Sequence, residues 1–188
     1  MNIVYIIFHE LTGINVIMTY SNQIFKQMNE DGKSSSLTPR QGTYLVGIVN
    51  ALAITVSIIT IKYFGRRTIL IFGHIGIFIA YGFVMFFDIK KEPTGVIISI
   101  LAFLLIYENS SGPVTWIYFT ETTVDAALGF CLFTLWFTVF LLSFICPILM
   151  GFNVDDVFLG FSVISLVAAL FCYIWIKETR GLTEKEKK

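Results

Sequence analysis

The chain has 188 residues, of which 56% are hydrophobic, 16% aromatic and only 14% charged, with a formal net charge of +0 and a mean hydropathy of +0.79. A water-exposed surface needs nearer one quarter charged residues, 19 Phe are far too apolar for a disordered chain, and the absence of a basic patch argues against nucleic-acid binding. The composition is that of an integral membrane protein.

Six stretches reach the roughly 20 apolar residues that cross a bilayer core. They lie near 3–25, 42–62, 68–87, 95–120, 127–150 and 157–176, so the chain reads as an all-α, polytopic bundle of six transmembrane helices over 1–176 with a tail at 177–188. The separators are polar. Residues 26–41 include Lys26, Glu30, Asp31 and Lys33, residues 62–67 include Lys62, Arg66 and Arg67, and residues 88–94 include Asp88, Lys90, Lys91 and Glu92. Residues 151–156 include Asn153, Asp155 and Asp156, and the boundary near Glu121 and Asp125 is the least marked.

An even number of crossings places both termini on one side. Lys62, Arg66, Arg67, Lys177, Arg180, Lys185, Lys187 and Lys188 then share that side, against Lys26, Lys33, Arg40, Lys90 and Lys91 on the other. The excess of basic residues predicts cytoplasmic termini. The first span is too long for a secretory signal and carries His9 and Glu10. It begins almost at Met1, which reads as the back part of something longer.

Polar groups at membrane depth are costly, about 2.5–3.5 kcal/mol for a central charge, and turn toward protein or a wet cavity. The first span holds His9, Glu10, Thr12, Gly13, Asn15, Thr19, Tyr20, Ser21 and Asn22. At 100° per residue His9, Gly13 and Tyr20 share a face and Asn15 points away. A break at Gly13 brings both sets to one site, as in the discontinuous helices of transporters. The alternative is an unbroken helix whose polar groups are satisfied by its neighbours.

The fourth span carries Glu108, Asn109, Ser110, Ser111, Gly112, Pro113, Thr115 and Trp116. Pro113 removes a backbone donor and Gly112 relaxes the chain beside it. Trp116 offers a flat ring and one N–H donor, or is a core residue beside a structural kink. Asn50 in the second span serves either a helix–helix hydrogen bond or a ligand. His74 lies near the small-residue pair Gly76 and Ala80, which points to helix packing. Thr134, Thr138 and Ser143 are expected to bond back to their own helix.

No nucleophile–His–acid set, phosphate loop or His/carboxylate metal cluster is present, so no enzyme is expected. No cofactor is expected either. Cys131, Cys146 and Cys172 lie in apolar runs without the spacing of a zinc site or disulfide framework. A channel would need a ring of acids or a repeated filter loop, and neither is visible.

Four motifs resemble those of a known family. His9-Glu10-Leu11-Thr12-Gly13-Ile14-Asn15, followed by Tyr20-Ser21, resembles the Gln-Gln-Leu-Ser/Thr-Gly-Ile-Asn signature in the seventh helix of the sugar porters, the glucose-transporter-like branch of the major facilitator superfamily. Gly65-Arg66-Arg67 is similar to the loop after that family's eighth helix. Gly112-Pro113-Val114-Thr115-Trp116, flanked by Glu108 and Glu121, is similar to its tenth-helix segment, and Glu178-Thr179-Arg180-Gly181 to its C-terminal tail motif. The four occur in family order over essentially the whole chain, which therefore resembles the C-terminal half, helices seven to twelve.

The resemblance implies alternating-access transport of a hexose or related sugar, with His9, Glu10, Asn15, Asn50, Glu108 and Trp116 at the substrate. Tyr20, Gly112 and Pro113 would serve the gate, and Arg66, Arg67 and Glu121 a cytoplasmic ion-pair network. Several residues depart from the pattern. His9-Glu10 replaces Gln-Gln; Lys62 and Tyr63 replace an acid and an Arg; Ser110, Ser111 and Thr115 replace Gly or Pro. Leu135-Trp136 stands at a common Asn-Trp pair, and Lys177 replaces a Pro.

The polar wall needs a second six-helix bundle. The leading expectation is a fragment of a 12-helix protein, with a dimer of halves or an inactive remnant as alternatives. The expected partners are a small sugar, the lipid bilayer and that second bundle, and the expected location is the plasma membrane rather than an internal one. A sugar sensor or scaffold without flux is the rival class. In proton-coupled relatives the coupling acid lies in the family's first helix, outside this sequence. If Glu10 takes that role, uptake depends on pH and Glu10→Gln abolishes the dependence; uptake still steep in pH after that change refutes it.

Overall fold

The computed structural model describes residues 1–20, 39–183 and 186. Residues 26–38 of the loop read at 26–41, the end of the first span beyond Tyr20, and Lys185, Lys187 and Lys188 lie outside the described residues, while residues 39–41 already belong to a helix. All regular structure among the described residues is helical. The helices are α1 (Asn2–Glu10), α2 (14–20), α3 (Pro39–Tyr63), α4 (Arg66–Ile89), α5 (Pro93–Asn109), α6 (Ser111–Thr122), α7 (Asp125–Phe152) and α8 (Val154–Trp175). They form six apolar spans long enough to cross a membrane: Asn2–Tyr20, Arg40–Tyr63, Arg66–Ile89, Pro93–Thr122, Ala127–Phe152 and Val154–Trp175. The molecule is a multi-pass integral membrane bundle.

Two spans are broken. The first stops at Glu10 and resumes at residue 14 through Gly13, whose φ of +84° is left-handed. Only glycine adopts that conformation without a Cβ penalty. A Cβ at Gly13 would also lie 2.5 Å from the Phe161 ring of α8. The polar backbone exposed by the break is satisfied locally: the Thr12 hydroxyl donates to His9 O at 2.7 Å, and the Tyr81 hydroxyl donates to Thr12 O at 2.6 Å. Non-helical backbone survives at membrane depth only with such partners.

The fourth span breaks at Ser110 (φ −127°, ψ −86°), between α5 and α6. Pro113 explains the position. It has no N–H for the carbonyl four residues back, at Asn109, and its ring would collide with that carbonyl. The break therefore falls where α5 ends, and Pro113 sits in the first turn of α6, where its missing donor costs little. Gly73 of α4 lies against this joint, since a Cβ there would sit 2.5 Å from Ser110 Cβ.

Both breaks lie at one level, between two apolar cores. One core holds Ile14, Ile17, Ile77, Tyr81, Phe103, Leu104, Phe158 and Phe161; the other holds Tyr5, Ile6, Leu70, Val114, Tyr118, Phe119, Cys131 and Cys172. The polar residues His9, Glu10, Thr12, His74, Ser110, Ser111 and Thr115 are buried at the join. α4 packs between α5 and α8, α3 rests on α5, and α1 contacts α7 and α8. α3 and α7 leave most of their surface uncovered. Thr134, Thr138 and Ser143 do bond back to carbonyls of their own helix, at 3.0, 2.8 and 2.8 Å.

The two-core arrangement makes the first break a sensitive point. Gly13→Ala combines a left-handed alanine with overpacking against Phe161, and should cost at least about 2 kcal/mol. Gly82→Ala, on the exposed helical face of α4 with no neighbour within 4 Å, should change stability by less than about 1 kcal/mol. Thermal unfolding of both variants in detergent checks the contrast.

Candidate functional site

A cavity of about 460 Å³ opens where the two breaks meet, inside the range of about 300–1,000 Å³ usual for small-molecule sites. The first span contributes His9, Glu10, Ile14, Asn15 and Met18, and α3 contributes Ile54. From α5 and α6 come Tyr107, Glu108, Gly112, Pro113 and Trp116, and from α7 Leu135, Trp136 and Val139. Polar groups thus converge from both sides of each break.

Glu10 and Asn15 illustrate the convergence. They are separated by the break, yet Asn15 Nδ2 donates to Glu10 Oε2 at 2.5 Å. An unbroken helix would hold them on diverging faces. The other Glu10 oxygen lies 3.8 Å from His9 Nε2. Glu108 is half-buried and its carboxylate makes no hydrogen bond to another described residue. Trp116 is 43% exposed and Trp136 64% exposed, so two indole faces stand at the open side.

His9 is different. It is 2% exposed, and both ring nitrogens are engaged within the chain. Nε2 lies 2.8 Å from the Tyr107 hydroxyl, and Nδ1 lies 3.0 Å from Ser111 Oγ and 3.2 Å from Thr115 Oγ1. Asn50 does not line the cavity. Its Nδ2 approaches Met18 Sδ at 3.6 Å, one residue away from the lining. Tyr107 and Met18 line the cavity although composition and spacing give them no distinction from other core residues.

Tyr20 reaches across to α7. Pro147 lies inside that helix and cannot donate to the carbonyl four residues earlier, at Ser143. The Tyr20 hydroxyl donates to that freed carbonyl at 3.1 Å, tying α2 to α7 beside the cavity. The contact depends on Pro147, more than 120 residues from Tyr20 in the chain.

Of the expected ion-pair residues, Arg66 meets Glu121 at the far end of the bundle, away from the cavity, whereas the Arg67 side chain turns to the Tyr173 carbonyl instead. Arg66 Nη2 donates to Glu121 Oε1 at 3.1 Å, the Thr179 hydroxyl donates to Glu121 Oε2 at 2.6 Å, and Arg67 Nη2 donates to Tyr173 O at 2.6 Å. Arg180 donates to Tyr63 O. The centre of this cluster is Glu178, which follows α8. Its carboxylate accepts from the backbone N–H groups of Arg66 (2.8 Å), Arg67 (3.2 Å), Thr179 (3.1 Å) and Arg180 (3.0 Å). It supplies the N-terminal cap that Gly65 lacks, and places a negative charge at the positive end of α4.

A six-helix membrane bundle with two facing helix breaks and a polar cavity between them is the architecture of half a secondary transporter. The chain belongs to the sugar (and other) transporter family, whose pattern it matches over residues 1–187. It is similar to hexose transporter 1 of Plasmodium falciparum, 29% identical across 92% of this chain and 35% of that protein. It is 28% identical to the D-xylose-proton symporter of Escherichia coli strain K12, across 96% of this chain and 38% of the symporter. The inward-open structure of the E. coli xylose transporter XylE superposes with a TM-score of 0.84 at 24% identity, covering 98% of this chain and 39% of XylE. The chain thus spans about two fifths of the length of these relatives, and its fold is that of the C-terminal half of a major facilitator protein, as the four ordered motifs imply.

The Glu178 cap yields a direct expectation. Glu178→Ala leaves the first N–H groups of α4 unpaired and should cost about 1–2 kcal/mol. Amide exchange at residues 66–69 should accelerate while the cavity-lining segment 107–116 keeps its wild-type exchange, measured by hydrogen–deuterium exchange.

Proposed function

We propose that this bundle forms the substrate-binding wall of a transporter that moves a hexose or related sugar by alternating access. The observation that carries the proposal is the meeting of Glu10, Asn15, Glu108 and Trp116 in one cavity at the join of two broken spans. Carboxylates accept from sugar hydroxyls and an asparagine amide both donates and accepts. The Trp116 indole packs against the apolar face of the ring. Family membership supports the same reading, as do the relatives named for hexose and D-xylose transport.

In this proposal residues 1–176 are the membrane bundle and 177–188 a cytoplasmic tail, with both termini cytoplasmic and the protein in the plasma membrane. α3 and α7 flank the cavity mouth with largely uncovered surfaces, and a second six-helix bundle would close that side. Rocking of the two bundles would expose the cavity to each side of the membrane in turn. Tyr20 and the segment at Gly112 and Pro113, where backbone already departs from a helix, would close over the sugar. The cluster of Arg66, Arg67, Glu121 and Glu178 would latch the bundles when the cavity faces outward.

The test is uptake and binding of D-glucose and D-xylose by the assembled transporter in proteoliposomes. Asn15→Ala and Trp116→Ala should each weaken apparent affinity about 5- to 30-fold, the size of one lost buried interaction. Unchanged affinity in both removes the cavity from the substrate path. Binding without counterflow identifies a sensor instead.

A further inference from the structure

Behind the proposed sugar contacts lies a polar cluster that they do not use. Its centre is the His9 ring, held by Tyr107 on one nitrogen and by Ser111 and Thr115 on the other. Tyr5, one turn earlier on α1, continues the cluster. Its hydroxyl lies 3.1 Å from Thr115 Oγ1, 3.4 Å from Ser111 Oγ and 3.3 Å from His74 Nε2. Hydroxyls both donate and accept, so either tautomer of the ring can be satisfied. With both nitrogens occupied, the ring has nothing left for a sugar hydroxyl. Its removal would instead strand buried hydroxyls.

The placement gives the cluster its meaning. His9 is in the last turn of α1, just before the first break; Tyr107 is in the last turn of α5, just before the second break; Ser111 opens α6, just after it. One imidazole therefore bridges the end of α1 to both sides of the α5–α6 joint. His9, Ser111 and Thr115 are also three of the residues that depart from the sugar-porter pattern, and the structure puts both hydroxyls on the His9 ring.

We infer that His9 is a positioning residue that pins the two broken spans together, so that the breaks at Gly13 and at Ser110 open and close as one unit. A packed network with two discrete arrangements is the physical carrier of such coupling. The consequence for sugar movement rests on the transport reading above; the coupling itself is a property of the chain and needs no substrate.

Hydrogen–deuterium exchange without sugar tests the coupling in the assembled protein in proteoliposomes. His9→Gln should accelerate exchange about fivefold or more in both 6–14 and 107–116, with α8 unchanged. Acceleration in 6–14 alone, or in neither segment, overturns the inference. If His9→Gln loosens α8 as well, Ser111→Ala, which removes one hydroxyl and no ring, is judged by the same criterion.

D-xylose separates positioning from ligation. His9→Gln should leave its equilibrium Kd within about threefold of wild type and slow counterflow at saturation about tenfold. A Kd weakened about tenfold with counterflow at saturation retained makes His9 a ligand and overturns the assignment. If the wild-type assembly neither binds nor moves D-xylose or D-glucose, the transport reading falls, and the exchange experiment alone decides the coupling.

Discussion

Everything distinctive about this bundle depends on pairing polar groups at the depth where lipid offers none. Two helices are interrupted at one level, and each interruption exposes backbone that must find partners inside the protein. The Thr12 and Tyr81 hydroxyls supply them at the first break, and the Ser110 hydroxyl, donating to Ile106 O, does so at the second. The cavity is the open side of that same layer. Its polar residues are therefore joined to the structural seam between the two apolar cores.

Prolines organise this layer by what they fail to donate. Pro113 ends α5 by denying Asn109 its helical partner, which turns the chain where Glu108 and Trp116 face the cavity. Pro147 releases the Ser143 carbonyl, and Tyr20 takes it. At Pro147 the missing N–H creates a contact between spans, while at Pro113 it sets where the fourth span turns beside the cavity. Glycines act as the complement. Gly13 permits the left-handed turn and Gly73 lets α4 approach the joint.

The far end of the bundle obeys a different balance. There the Arg66 and Glu121 side chains are 18% and 13% exposed, and Glu121 is also held by the Thr179 hydroxyl. Glu178 gains its importance from backbone donors at the start of α4, where a helix end and a carboxylate reinforce each other. Charge at this end holds helix termini in place, while uncharged hydroxyls and a buried imidazole hold the middle. This division follows the dielectric profile of a membrane.

The membrane class, the six spans and the family were legible in the sequence because they rest on composition, run length and ordered motifs, which survive without coordinates. The break at Gly13 was legible as one of two alternatives, since polar groups on several faces of one helix are hard to satisfy in lipid. Which polar residues share a cavity was not legible. Asn15 meets Glu10 only because the left-handed turn rotates α2 against α1, and His9 is occupied only because α5 and α6 bring Tyr107, Ser111 and Thr115 to it. Glu178 was visible as a motif, but its role as a cap for α4 joins residues 111 or 112 positions apart. The sequence by itself determined that costly polar groups lie at membrane depth. Only the tertiary structure decided which of them satisfy one another and which remain open to a ligand, because that depends on helix rotations and crossings that local periodicity does not encode.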